Sequence, residues 1–328
     1  MELSWQSDFA KNWRDRIAQG RQPHAILLLG PAGVGKRAAA AWIARLALEP
    51  AQCGQLPSHP VEILEHPDLR WISPLEDKQA IGIDQIRRLV SDLGLTSYAG
   101  DGKVAVVEPA NAMTDSAANS LLKTLEEPPG DALLILIADR VGRLPATIFS
   151  RCQRIEFTQP AEAAALEWLN RLHPGSAWTD ALRSAGGAPI GAIAALDNLE
   201  ASAAMARDFN AVGRGESSPV AVAARCSKLD PAFVLNWLAQ QVNLMAVAQS
   251  AGRDKAQGLV IDDSVLRRMD RRNLFCYLDI INRLRGQPGG SYNVQLTFEG
   301  LLIDWAGGLQ GCGPEEPNDG MNLMLASR

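Results

Sequence analysis

The chain has no two cysteines close enough to form a CxxC unit. Its five, Cys53, Cys152, Cys226, Cys276 and Cys312, are scattered singly, which excludes a zinc ribbon or a disulfide framework and points to a reducing compartment. It also lacks an excess of basic charge. A net charge of -5 and a pI near 5.5 give no global signal for nucleic-acid binding, which needs a basic face. No apolar run approaches the roughly 20 residues of a membrane span, and the opening Met1-Glu-Leu-Ser-Trp5 lacks the basic-then-apolar order of a secretory signal. These absences predict a soluble, cytoplasmic protein with no membrane association. What is present is 328 residues of 47% hydrophobic composition, more than one core accommodates comfortably, so two or three domains are expected.

One further absence is local. Gly30-Pro-Ala-Gly-Val-Gly-Lys-Arg37 reads as a P-loop complete through its lysine, but Arg37 stands where a Ser or Thr hydroxyl should hold magnesium. Gly30, Gly33, Gly35 and Lys36 are the candidate nucleotide-binding residues, read as a vestigial cradle. The context suits a P-loop fold, because a buried strand, Ala25 to Leu29, runs into the loop and an Ala-rich helix, Arg37 to Leu48, leaves it.

The first half alternates short apolar runs with helical patterns, the rhythm of βα units around a parallel sheet. Further strands are expected at Leu69 to Ser73, Val104 to Val107, Leu133 to Ala138 and Arg154 to Phe157, with a helix over Thr114 to Glu127 stopped by Pro128-Pro129. Beyond about residue 160 the strand signals fade. Helices are expected over Ala161 to Leu172, over Asp180 to Leu196 with a turn at Gly186-Gly187 and Pro189, over Asp230 to Ser250, over Ser264 to Leu284 and over Tyr292 to Leu309. Gly213 to Pro219 reads as a linker, and 311–328 as a loose tail. The fold class is therefore α/β, and three domains are expected: a P-loop domain over 1–160, a small helical domain over 161–210 and an all-α domain over 211–328.

Hydrolysis needs more than a cradle. The strand expected to supply a metal-binding acid and a base ends in Val107-Glu108-Pro109, one acid followed by a proline that can neither take a proton nor orient water. At the end of the fourth strand, where a polar residue would read the γ-phosphate, stands Ala138, with Asp139 an imperfect substitute. Intrinsic turnover is not expected. Ser150-Arg151-Cys152, before the fifth strand, reads by itself as a solvated arginine beside a buried cysteine. Cys53, His59 and His66 have the wrong count for a closed zinc site, so no metal is expected. Cys226, Cys276 and Cys312 are expected to fill a helical core or to sit free. The stretch Trp237 to Val247 offers apolar residues on more than one face, suited either to core or to a helix shared with a partner.

Pro23-His-Ala25, His66-Pro-Asp68, the run Ala118-Asn-Ser-Leu-Leu-Lys-Thr-Leu-Glu-Glu-Pro-Pro129 and Ser150-Arg-Cys152 together closely resemble the delta prime subunits of bacterial DNA polymerase III. The resemblance covers the P-loop half and extends weakly through Gly186-Gly-Ala-Pro189 and Asn293 to Trp305. It implies an AAA+ core with a five-stranded sheet, a helical lid and a C-terminal collar that oligomerises. It also implies a non-motor subunit of the clamp loader, partnered by gamma or tau and delta, acting through that complex on the sliding clamp and primed DNA. In that family the Ser-Arg-Cys arginine is an arginine finger presented to a neighbour's ATP, which makes Arg151 the candidate catalytic residue in trans. No cofactor of its own is expected. The alternatives are an autonomous AAA+ ATPase in repair or remodelling and an ATP-binding sensor that does not hydrolyse.

Overall fold

The computed structural model describes every residue except 76, 77, 79, 99, 101, 140–143, 257, 287–291 and 311–328. The expected loose tail and Cys312 lie outside the described residues. The chain forms two compact units, Met1–Ala194 and Ala195–Arg328.

The first unit is built on five strands, β1 (Ala25–Leu29), β2 (Leu69–Ile72), β3 (Val104–Val107), β4 (Leu133–Ala138) and β5 (Gln153–Glu156), in the order β2-β3-β4-β1-β5. Every pairing is parallel. The three inner strands are apolar and buried at every residue, as a parallel sheet covered on both faces requires. Alternation divides them between two cores. Leu27, Ala105 and Leu136 pack with α3 (Ile83–Leu93) and α4 (Asp115–Glu126), while Ile26, Leu28, Val106 and Ile135 pack with α1 (Ser7–Ala18) and α2 (Lys36–Leu48). Thr114 caps α4 by accepting from the Ala117 amide at 3.2 Å. The short α5 (Ala146–Phe149) leads into β5, and α6 (Glu162–Leu172), α7 (Trp178–Ser184) and α8 (Pro189–Asp197) follow. This is the expected α/β P-loop fold with a five-stranded parallel sheet and a helical C-terminal region.

The second unit is helical, with α9 (Leu199–Arg214), α10 (Pro219–Cys226), α11 (Pro231–Ala251), α12 (Asp263–Leu266), α13 (Arg271–Arg285) and α14 (Val294–Ala306). Its core centres on Trp305, which donates to the Phe209 carbonyl at 2.9 Å and meets the Phe209 ring edge-on at 5.4 Å. Tyr277 is buried beside it and donates to the Leu301 carbonyl at 2.7 Å.

Two expectations change here, and a third stretch is now described. Gly213 to Pro219 is not one linker: Gly213 lies inside α9, and Pro219 opens α10 at a position where its missing N–H costs nothing. Gly213 is a packing residue, since a Cβ there would come within 2.6 Å of Val265 Cγ1. The span Ser264 to Leu284 is broken into α12 and α13, because Asp270 restarts the chain as an N-cap and accepts from the Arg272 amide at 2.8 Å. In α11, Trp237, Leu238, Ala239, Val242, Met245 and Ala246 are buried in the core of the unit, while Leu244 and Val247 of the same stretch are only partly buried.

Candidate functional site

The sheet register sets the geometry of the phosphate loop. Leu29 pairs with Ala138, so Gly30 and Asp139 leave adjacent strands side by side at the carboxyl edge, with Glu108 following β3 at the same edge. Ligands of open α/β sheets bind at that edge. The loop needs its glycines. Gly30 has φ +143° and its α-carbon faces the Phe157 carbonyl, while Gly33 has φ +79° and a Cβ there would lie 2.7 Å from the Gly191 nitrogen.

Lys36 opens α2 and is 4% exposed. Its ammonium donates to the Gly30 carbonyl at 2.7 Å and the Pro31 carbonyl at 2.6 Å, and it pairs with Asp139 Oδ1 at 2.7 Å. An ammonium has three N–H donors, so all three are engaged. The loop is also held from outside. Trp5 Nε1 and Gln6 Nε2 donate to the Val34 carbonyl at 3.0 and 3.1 Å, and the Ile190 amide donates to the Gly33 carbonyl at 3.0 Å.

Arg37, in the place of the metal-binding hydroxyl, sets its Nε 3.4 Å from Glu108 Oε2, with its guanidinium 5.7 Å from the centre of the Trp71 ring. Trp71 Nε1 donates to the same carboxylate oxygen at 3.1 Å. Burial raises the Glu108 carboxyl above its usual range, opposed by Arg37 and the Trp71 hydrogen bond. Glu108, the acid that follows β3, thus already has a protein cation and a donor. Asp139, expected only as an imperfect γ-phosphate reader, instead pairs with Lys36, and its amide donates to Asn111 Oδ1 at 3.4 Å.

Arg151 lies elsewhere. It precedes β5, whose first residue, Gln153, registers with Ile26 near the start of β1. It therefore stands at the amino edge, about 16 Å along the strand direction from the carboxyl edge at 3.3 Å per residue. Its Nε donates to Glu126 Oε1 at 2.6 Å and its Nη2 reaches the same oxygen, while Nη1 donates to the Thr147 carbonyl at 3.0 Å and Ser150 Oγ at 3.2 Å. The side chain keeps 32% of its surface exposed. Glu126, the last residue of α4, went unassigned in the sequence reading. Its signal was available, since it belongs to the same Leu-Glu-Glu-Pro-Pro run that marks the resemblance. Cys152, next to Arg151, is buried, and burial pushes its thiol up to about 12.

The expected metal candidates do not converge: Cys53 Sγ donates to the Trp42 carbonyl at 3.6 Å, the His59 ring lies 6.1 Å from that of Trp168, and His66 Nδ1 accepts from the Asp68 amide at 3.1 Å. Among the described residues, no group of three or more His, Cys, Asp or Glu is placed to hold a metal ion, and no helix is long and apolar enough to cross a membrane.

Residues 5–161 match the family described as DNA polymerase III, delta subunit. Within this family's span fall the phosphate loop, the Leu-Glu-Glu-Pro-Pro run and Arg151. The chain is similar to DNA polymerase III subunit delta' of Pseudomonas aeruginosa, 41% identical over 189 residues that cover 54% of this chain and 57% of that protein. It is similar to subunit delta' of Escherichia coli K12, 34% identical over 196 residues that cover 56% and 58%. Subunit tau of Bacillus subtilis is 28% identical over 174 residues, 51% of this chain and 30% of that one. The match thus spans a little over half the length of the delta' relatives.

Proposed function

We propose that this chain is the delta prime subunit of a bacterial clamp loader: a non-motor member of the complex that places the sliding clamp on primed DNA during replication. Its partners in this reading are the gamma or tau and delta subunits, and its compartment is the cytoplasm. The observation that carries the reading is the position of Arg151 at the sheet edge opposite its own phosphate loop. An arginine there cannot reach a nucleotide bound by the same chain, yet it is partly exposed and positioned by Glu126, Thr147 and Ser150. That is the geometry of a cation offered to a neighbour's ATP, where a planar, permanently charged fork stabilises the oxygens of the transferred phosphoryl group. In this reading 161–210 acts as a lid and 211–328 as the oligomerising collar.

The loop supports the non-motor half of the proposal. Lys36 has its donors engaged by the loop itself and by Asp139, Arg37 replaces the hydroxyl, and Pro109 follows the single acid. An autonomous ATPase would need a hydroxyl in place of Arg37, a base in place of Pro109 and Lys36 released to the phosphates. The test is phosphate release from ATP by the purified chain alone and after mixing with motor subunits. The chain alone should release none above a no-protein control, and its addition should raise the rate of the motors. Sustained release by the isolated chain would overturn the reading.

A further inference from the structure

We propose that Asp139 is a built-in substitute for a bound phosphate, and that without it the loop is a magnesium-independent polyphosphate site. The inference rests on reading the loop as retired, and it concerns what keeps it retired. A P-loop lysine completes a phosphate cradle, and among the described residues the ion-pair partner of Lys36 is Asp139, at 2.7 Å. Asp139 is held there by register: Leu29 pairs with Ala138, so the two loops that follow begin as neighbours. Its side chain is 43% exposed whereas Lys36 is 4% exposed, so the carboxylate caps the buried ammonium from the solvent side.

The rest of the cradle is intact. Among the described residues, nothing accepts from the backbone N–H groups of Gly33, Val34, Gly35 or Lys36 at the start of α2. Unspent amides at a helix start, with a lysine beside them, are what a phosphate chain requires. Among the described residues, the ion pairs at the loop set Lys36 and Arg37 against Asp139 and Glu108, an even balance. Removing Asp139 tips that balance to a positive charge beside free amides. Magnesium should add nothing, because Arg37 stands in sequence where the metal-holding hydroxyl would be and is paired with Glu108, so the loop offers no hydroxyl ligand and already carries a second cation.

The experiment titrates inorganic tripolyphosphate into the full chain, with EDTA present, for the natural protein, Asp139→Ala, and Asp139→Ala combined with Lys36→Met. Relief of like-charge repulsion at contact distance should tighten binding to Asp139→Ala by about tenfold or more, with no change on adding magnesium. The gain should vanish in the double variant. Melting in the absence of ligand checks that each protein is folded, and Asp139→Asn, which keeps the side-chain shape, serves if the alanine variant is not. Equal binding by the natural protein and the Asp139 variants would overturn the inference, as would a gain that survives loss of Lys36. Either result leaves the role of Arg151 untouched, which is read separately from the hydrolysis of the assembled complex.

Discussion

In a working P-loop, loss of the lysine abolishes catalysis and leaves the fold alone; here the order should be reversed. Lys36→Met keeps the aliphatic stem and deletes the ammonium. Three interactions go: those to the Gly30 and Pro31 carbonyls and the pair with Asp139. A hydrogen bond to a charged group contributes about 1.5–3 kcal/mol, but Gly30 is only partly buried and Pro31 is exposed, so water replaces much of the loss at both carbonyls. With Asp139 43% exposed, the ion pair itself is discounted to about 0–1 kcal/mol. The sum is a loss of about 1–2 kcal/mol, which for a unit the size of Met1–Ala194 lowers its melting midpoint by roughly 2–8 °C. Differential scanning calorimetry of the two proteins measures it, alongside the DNA-stimulated ATPase of the complex at a temperature where both are folded. An unchanged midpoint, or a well-folded variant that silences the complex, would refute the argument that this lysine is structural.

Glu108→Gln should alter the pH dependence of stability with a definite sign. A carboxyl raised by burial binds its proton more tightly folded than unfolded, so its contribution to stability falls as pH rises from the ordinary glutamate range through the raised value; the midpoint of the Gln variant minus that of the natural protein should grow between pH 4 and pH 8, and a flat difference would contradict this. Gly213→Ala should lower the stability of the helical unit by about 0–2 kcal/mol, since overpacking against Val265 costs about 1–3 and the gain in helix propensity returns about 1; a stabilised unit in a melt would contradict the packing role. Cys152 and Cys226, with thiols pushed by burial up to about 12 and about 11, should resist thiol-reactive dye at pH 8 until the chain unfolds. Mass mapping of the labelled native protein checks this, and labelling of either at its denatured rate would show the site is open.

How much of this was legible beforehand varied with how far each feature depends on distant partners. β1, β3 and β4 have the expected bounds because a strand buried on both faces is a continuous apolar run that ends where burial ends. The edge strand β5 lies at Gln153–Glu156 where Arg154 to Phe157 was expected, because its alternating exposure marks its ends weakly. α9 was hidden by Gly213, which reads as a breaker in sequence but serves close packing against Val265 and Trp305, dozens of residues further on. The P-loop and Arg151 were visible as motifs. The pairing of Asp139 with Lys36 and of Glu126 with Arg151 was not legible, because the first follows from strand register and the second from a contact spanning 25 residues of sequence. Once the strands are ordered, one further conclusion follows directly: Arg151 and Lys36 belong to opposite edges of the same sheet.

That separation is the basis of the central claim, that the chain lends a cation to a neighbour's nucleotide and spends none on its own. The most direct measurement is single-turnover ATP hydrolysis by the complex on primed template with clamp, assembled with the natural chain, with Arg151→Ala or with Arg151→Lys. The account predicts that all three assemble, and that hydrolysis at the site next to this subunit falls on the order of 10³-fold with alanine and is not restored by lysine, which lacks the planar fork. Unchanged turnover with Arg151→Ala in a fully assembled complex would contradict it.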